Sequence, residues 1–107
     1  MNAAERRARR HYRLRGYRVL AENAWAGGNE LDLVLRRGSR LVFCEVKEKR
    51  GERWGDPSEM VGREKQRRVR RAAAAWLASR PELTALDVRF DVVSVGPRGV
   101  RRIADAF

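Results

Sequence analysis

The sequence predicts an α/β fold in which a mixed sheet of about five strands is flanked by helices. Three observations carry this. Residues 29–47 hold two runs of period-two alternation around a Gly-Ser pair. Residues 63–79 place Gln66, Val69, Ala73 and Trp76 along one helical face. The element order is helix, three strands, helix, two strands, so the long helix crosses over between the third strand and the fourth.

The first helix is expected over residues 3–15, where Ala4, Ala8 and Tyr12 fall one turn apart among arginines and Gly16 supplies a stop. Glu5 is the only acid in that segment. Read on its own, it is a solvated i,i+4 partner for Arg9. His11, the only histidine, reads as a surface residue. A strand is expected from Tyr17 to Asn23, with Tyr17, Val19 and Ala21 on one face; Trp25 and Gly27-Gly28 then turn the chain into the central hairpin.

That hairpin has the most chemistry in it. Gly38-Ser39 suits a type II′ loop, which puts Arg37 opposite Arg40. Counting back sets Asp32 opposite Glu45 and Glu30 opposite Lys47. Leu31, Leu33 and Leu35 then share one face, with Glu30 and Asp32 on the other. Two directly opposed carboxylates repel, so a compensating cation is called for. Cys44 reads as a small buried hydrophobe.

Glu48 to Gly55, with Lys49, Arg50, Arg53 and Trp54, reads as a mobile loop at the rim of this face, open either to phosphates and bases or simply to water. Asp56-Pro57-Ser58-Glu59 has the form of a helix start, with Gly62 separating it from the long helix. Gln66 either begins the amphipathic stripe or faces the site from the helix N-terminus. Asp87 to Val95 and Val100 to Ala104 read as the last two strands, joined by a Gly-Pro-Arg-Gly turn.

At 107 residues the chain predicts a single domain spanning 1–107. Its 25 Lys and Arg against 14 Asp and Glu give a formal charge of +11, which favours a polyanionic partner, nucleic acid foremost and an anionic membrane second. One cysteine excludes an internal disulfide and a thiolate zinc cluster. No apolar leader follows the Arg-rich start and the longest apolar run is too short for a bilayer, so a cytoplasmic location without a membrane partner is expected. No Ser-His-Asp pattern is present, and a paired-carboxylate glycosidase fits a basic protein poorly.

Hard cations take oxygen ligands, and Asp32, Glu45 and the backbone carbonyl of Val46 are suited to Mg²⁺. Lys47 would share their face and could orient water or neutralise developing charge. Glu30 and Glu5 are further candidates for a second ion or an outer shell.

Beyond spacing, the chain resembles the YraN-like family of small endonuclease-like proteins, within the PD-(D/E)xK nuclease superfamily that includes archaeal Holliday-junction resolvases. The likeness runs almost end to end. It covers Glu5 eleven residues before Gly16-Tyr17, then Asn23, Glu30-Leu31-Asp32-Leu33, Phe43-Cys44-Glu45-Val46-Lys47, Lys65-Gln66, and Arg89-Phe90-Asp91-Val92-Val93. The resemblance implies a restriction-endonuclease-like fold and a metal-dependent endonuclease, using Mg²⁺ or Mn²⁺, acting on structured or single-stranded DNA. By it, Asp32, Glu45 and Lys47 match the metal-binding and catalytic signature, Glu5 the first-helix acid, and Gln66 a downstream helix position. Asn29 and Ala4 stand where the pattern commonly has Gly, and Cys44 where it usually has Val; none of these removes a ligand. A nucleic-acid-binding module that keeps the fold without turnover is the alternative. A homodimer would suit a symmetric junction, where two cuts need two sites.

Overall fold

The computed structural model describes residues 1–49 and 61–107. The sheet runs β1 (Arg18–Ala26), β2 (Asn29–Arg37), β3 (Arg40–Glu48), β4 (Asp87–Gly96), β5 (Gly99–Ile103), in that spatial order. β1, β2 and β3 pair antiparallel, β3 and β4 parallel, and β4 and β5 antiparallel. The one parallel pair is where α2 (Arg63–Ala78) crosses over, as parallel strands require. This is the mixed five-stranded α/β sheet expected.

One helix covers each face. On one side Ala4, Ala8 and Tyr12 of α1 (Ala3–Arg13) pack with Leu33, Leu35, Val42, Cys44, Val93 and Val95. On the other, Val69, Ala72, Ala73 and Trp76 of α2 pack with Leu31, Val34, Leu41 and Phe43. Burial of each such Leu, Val or Phe side chain contributes about 1.5–3 kcal/mol. The small alanines of α1 pack on the sheet, and the first turn of that helix lies at the start of β2, where Glu5 meets Glu30 and Asp32.

The Gly38-Ser39 turn is as expected: Gly38 has φ +59°, and Arg37 pairs with Arg40. Two expectations about faces are corrected. The first concerns β1, which is longer than the expected strand and carries a bulge between Val19 and Ala21. The extra residue flips the alternation, so Val19 packs on the α1 side and Ala21 on the α2 side. The second concerns β2: Leu31 packs with α2, whereas Leu33 and Leu35 pack with α1. The alternation therefore breaks at Asp32. The break is matched on the neighbouring strand, where Glu22 pairs with Leu33 and Ala24 with Leu31, leaving Asn23 across from Asp32 with φ +48°. Asn is among the few side chains that tolerate this left-handed region.

Smaller differences follow from local bonding. β3 continues through Glu48, one residue into the expected loop, because Lys49 N–H still reaches the Val95 carbonyl at 2.7 Å. A short 3₁₀ turn at Pro81–Leu83 joins α2 to β4. The remainder of the expected rim loop with Trp54, and the Asp56-Pro57-Ser58-Glu59 helix start, lie outside the described residues.

A buried polar knot ties α1 to the last two strands. Asp91, 1% exposed, accepts from Tyr12 Oη at 2.7 Å, Arg102 Nε at 2.8 Å and the Asp105 N–H at 2.9 Å. Arg102 also lies over the Tyr12 ring, 4.9 Å from its centroid. Burial and the nearby Cys44 and Asp91 push the Tyr12 hydroxyl far above its ordinary pKa, so it donates as a neutral phenol. Cys44 is buried and its thiol is also pushed up, first by burial, in keeping with a structural role.

Candidate metal centre

The site forms where β1 and β2 break alternation and where the β2–β3 ladder stops. The last ladder pair is Leu33 with Cys44. One residue further on, the Asp32 side chain replaces the backbone: its Oδ2 accepts the Val46 N–H at 2.9 Å. The strands part there, and Asp32 is held beside Glu45 by a bond to the residue after it.

Glu5 arrives from α1. It closes a capping box with Asn2, in which Asn2 Oδ1 accepts the Glu5 N–H at 2.8 Å and Glu5 Oε1 accepts the Asn2 N–H at 3.1 Å. Arg9 bonds Glu22 at 2.8 Å instead of Glu5, so the i,i+4 partnership expected from sequence gives way to a cross-element pair. Glu5 is 7% exposed, and its other oxygen accepts from the Asn23 amide. The same Asn23 nitrogen donates to Glu30 Oε1 at 3.0 Å. Carboxylate oxygens of Glu5, Glu30 and Asp32 all lie within 4.8 Å of one another.

Glu45 enters from β3, 4% exposed, with its Oε1 3.2 Å from Lys65 Nζ of α2. Lys47 is half-buried, and its charge acts on Glu45. It pairs across the parallel ladder with Ser94, whose buried hydroxyl has no hydrogen-bond partner among the described residues. Gln66 donates its amide to the Val61 carbonyl at 2.9 Å, so it is engaged with the segment leading into α2. The structure thus brings Glu5, Glu30 and Asp32 closest together, with Glu45 and Lys47 alongside.

The electrostatics show the strain of this arrangement. Asp32 is pushed up from 3.8 to about 7, first by burial, then by Glu45, Glu5 and Glu30, against the lowering effect of the Val46 N–H. Glu45 is also raised by burial, against Lys65 and Lys47. Carboxyl groups that repel one another in a half-buried pocket are stabilised by a cation. The donor set is all oxygen, which fits a hard divalent ion such as Mg²⁺ or Mn²⁺. These acids could therefore hold a metal ion.

The spacing of the sequence names the acids but gives no role to two residues that organise them, Asn23 and Lys65, which stand only in the family likeness. The signal for Asn23 is a polar side chain directly opposite Asp32 once the β1–β2 turn is placed at Gly27-Gly28. Lys65, next to Gln66, is the α2 residue that touches the acids, and helix phase decides between the two. His11 is half-buried against the edge of Tyr12, ring centroids 6.0 Å apart.

Comparison with known proteins places this geometry in a family. Residues 4–95 match the uncharacterised protein family UPF0102, a span that includes every acid of the site. The chain belongs to that family. It is 45% identical over 105 residues to a UPF0102 protein of Frankia casuarinae, covering 94% of this chain and 88% of that one. A UPF0102 protein of Symbiobacterium thermophilum is 42% identical over 113 residues, covering 98% and 92%. One from Klebsiella pneumoniae is 37% identical over 107 residues, covering 99% and 84%. UPF0102 is the YraN-like family that the sequence resembled. Among the described residues no helix is long and apolar enough to cross a membrane.

Proposed function

We propose that this UPF0102 protein is a divalent-metal-dependent endonuclease that hydrolyses phosphodiester bonds in structured or single-stranded DNA. One observation supports it above the others: carboxylate oxygens of Glu5, Glu30 and Asp32 within 4.8 Å of one another, with Asp32 tied to Val46 beside Glu45. A basic chain of +11 that sets Glu5, Glu30 and Asp32 together, with Glu45 beside Asp32, has the charge plan of an enzyme that binds a polyanion through a cation.

Asp32, Glu45 and the Val46 carbonyl would hold the ion, with Glu5 and Glu30 as outer acids. A bound Mg²⁺ or Mn²⁺ supplies Lewis acidity at a phosphate oxygen and lowers the pKa of water. The rest of the work falls to the chain. The Val46 N–H fixes the rotamer of Asp32. The Asn23 amide holds Glu5 and Glu30 in place. Lys47 carries a positive charge on the strand of Glu45, two residues on, suited to orienting water and neutralising charge on the phosphate.

The test is incubation of the purified protein with branched, nicked and single-stranded DNA in Mg²⁺, Mn²⁺ or EDTA. The expected result is metal-dependent cleavage lost in Glu45→Ala and Lys47→Ala. Cleavage that survives both substitutions unchanged would belong to a contaminant and sink the proposal.

A further inference from the structure

The β1–β2 hairpin carries a large aromatic side chain that neither the core nor the acids account for. Trp25 is 74% exposed. Leu14, the other large apolar side chain so exposed among the described residues, lies at the C-terminal end of α1, whereas Trp25 pairs directly across the ladder with Glu30. Directly paired residues on antiparallel strands project to the same face with Cβ atoms about 5 Å apart. Trp25 is therefore the cross-strand partner, on the same face, of one of the three clustered acids.

This position is held rigidly. The hairpin closes one pair beyond Trp25, at Ala26 with Asn29, through Gly27 and Gly28, whose φ values of +55° and +78° match a tight type I′ turn. A Cβ on Gly27 would stand 3.1 Å from both Ala72 Cα and the Arg71 carbonyl, so the turn rests directly on the backbone of α2. Asn23, two residues before Trp25, is fixed by its bonds to Glu5 and Glu30. An aromatic side chain carried on backbone fixed on both sides, left in water and on the face of the acids is placed to receive a flat partner.

We propose that Trp25 is a stacking platform for an unpaired nucleobase next to the candidate metal centre, which makes the favoured substrate a strand with an unstacked base, such as a single strand or a splayed branch. This rests on the reading of the site as one for nucleic acid. The chemistry is complementary: phosphates meet a chain of +11, while the base face meets the indole. A base inside a duplex has its faces covered by its neighbours, so the platform discriminates by strandedness and tolerates any sequence.

The experiment measures binding of fluorescein-labelled single-stranded and fully paired duplex DNA by anisotropy in EDTA, where no cleavage competes. Variants are Trp25→Ala, Trp25→Leu and Trp25→Phe in the full chain, each checked for an unchanged melting curve. Stacking on one aromatic is typically worth about 1–3 kcal/mol, so single-strand affinity should fall about fivefold or more in the Ala and Leu variants. Duplex affinity should stay within about twofold, and Trp25→Phe should recover most of the loss. A single abasic position walked along the strand should reproduce the loss at one place in the wild type and have no effect in Trp25→Ala. Equal single-strand affinity in all variants, rescue by Leu as well as Phe, or no single-strand binding at all would each overturn the inference. Parallel cleavage assays in Mg²⁺ separate the two proposals: Trp25-dependent binding without cleavage removes the nuclease reading alone, and cleavage without Trp25-dependent binding removes the platform alone.

Discussion

Replacing Asp32 by Asn should stabilise the metal-free protein at neutral and alkaline pH, although it removes a residue proposed to be essential. Burial and the neighbouring Glu45, Glu5 and Glu30 raise Asp32 from 3.8 to about 7 in the folded state. A carboxyl group whose folded pKa is raised contributes stability that is fully present below about pH 4 and is lost as pH climbs through about 7. At about 1.36 kcal/mol for each tenfold change in proton affinity, full burial would make the loss about 4 kcal/mol. Asp32 is only half-buried, so solvent screening cuts the expected figure to about 1–2 kcal/mol. Asn keeps an oxygen to accept the Val46 N–H, so that bond need not be lost. Urea unfolding in EDTA at pH 4 and pH 8 is the assay. Asp32→Asn should match the wild type at pH 4 and exceed it by about 1–2 kcal/mol at pH 8. Saturating Mn²⁺ should erase the advantage by stabilising only the wild type. A variant less stable than the wild type at pH 8, or a difference that does not change between the two pH values, would refute the electrostatic argument.

Three further outcomes follow from named contacts. Asn23→Gly, which accepts φ +48°, should cost only the bonds to Glu5 and Glu30, about 1–2 kcal/mol by urea unfolding, whereas Asn23→Ala should cost about 1 kcal/mol more from backbone strain; equal losses would show that the backbone geometry is not what selects Asn. Lys65→Met removes the ammonium 3.2 Å from Glu45 and should tighten Mn²⁺ binding severalfold in calorimetry, since a competing cation is gone; weaker binding would mean that Lys65 orients Glu45 for the ion. Arg102→Met strands Asp91 at 1% exposure and should cost about 3–5 kcal/mol in the same unfolding assay, with a loss under about 1 kcal/mol contradicting the importance of the knot.

Much of the scaffold was legible because local signals and tertiary demands agree. Gly38-Ser39 specified the β2–β3 register through Arg37 and Arg40, and the Ala4, Ala8, Tyr12 stripe marked the buried side of α1. What escaped was the breaking of regular alternation. Nothing in the spacing of Leu31 and Leu33 announces that they pack against different helices, because the twist arises from the paired irregularity at Asp32 and Asn23. The bulge after Val19 is equally silent, since Leu20 is as good a strand residue as its neighbours. Within the site, Glu30, Asp32 and Glu45 are legible from the hairpin register, whereas Glu5 reads on its own as a partner of Arg9 and gains weight from the family resemblance. Their partners are not legible, because Arg9 could reach either Glu5 or Glu22, and only the placement of β1 beside α1 decides for Glu22. The same holds for Lys65 and Gln66: one residue of helix phase separates the ammonium on Glu45 from the amide on Val61.

The claim that these acids serve a metal ion that cuts DNA is tested most directly by a crystal soaked in Mn²⁺ with a branched DNA bearing a nonhydrolysable phosphate, and by its anomalous difference map. The expected map has a Mn²⁺ peak ligated by Asp32, with a DNA phosphate on the same ion and Lys47 turned toward that phosphate. A map with DNA bound and no peak at Asp32, under conditions where the same protein cleaves DNA, would contradict the claim.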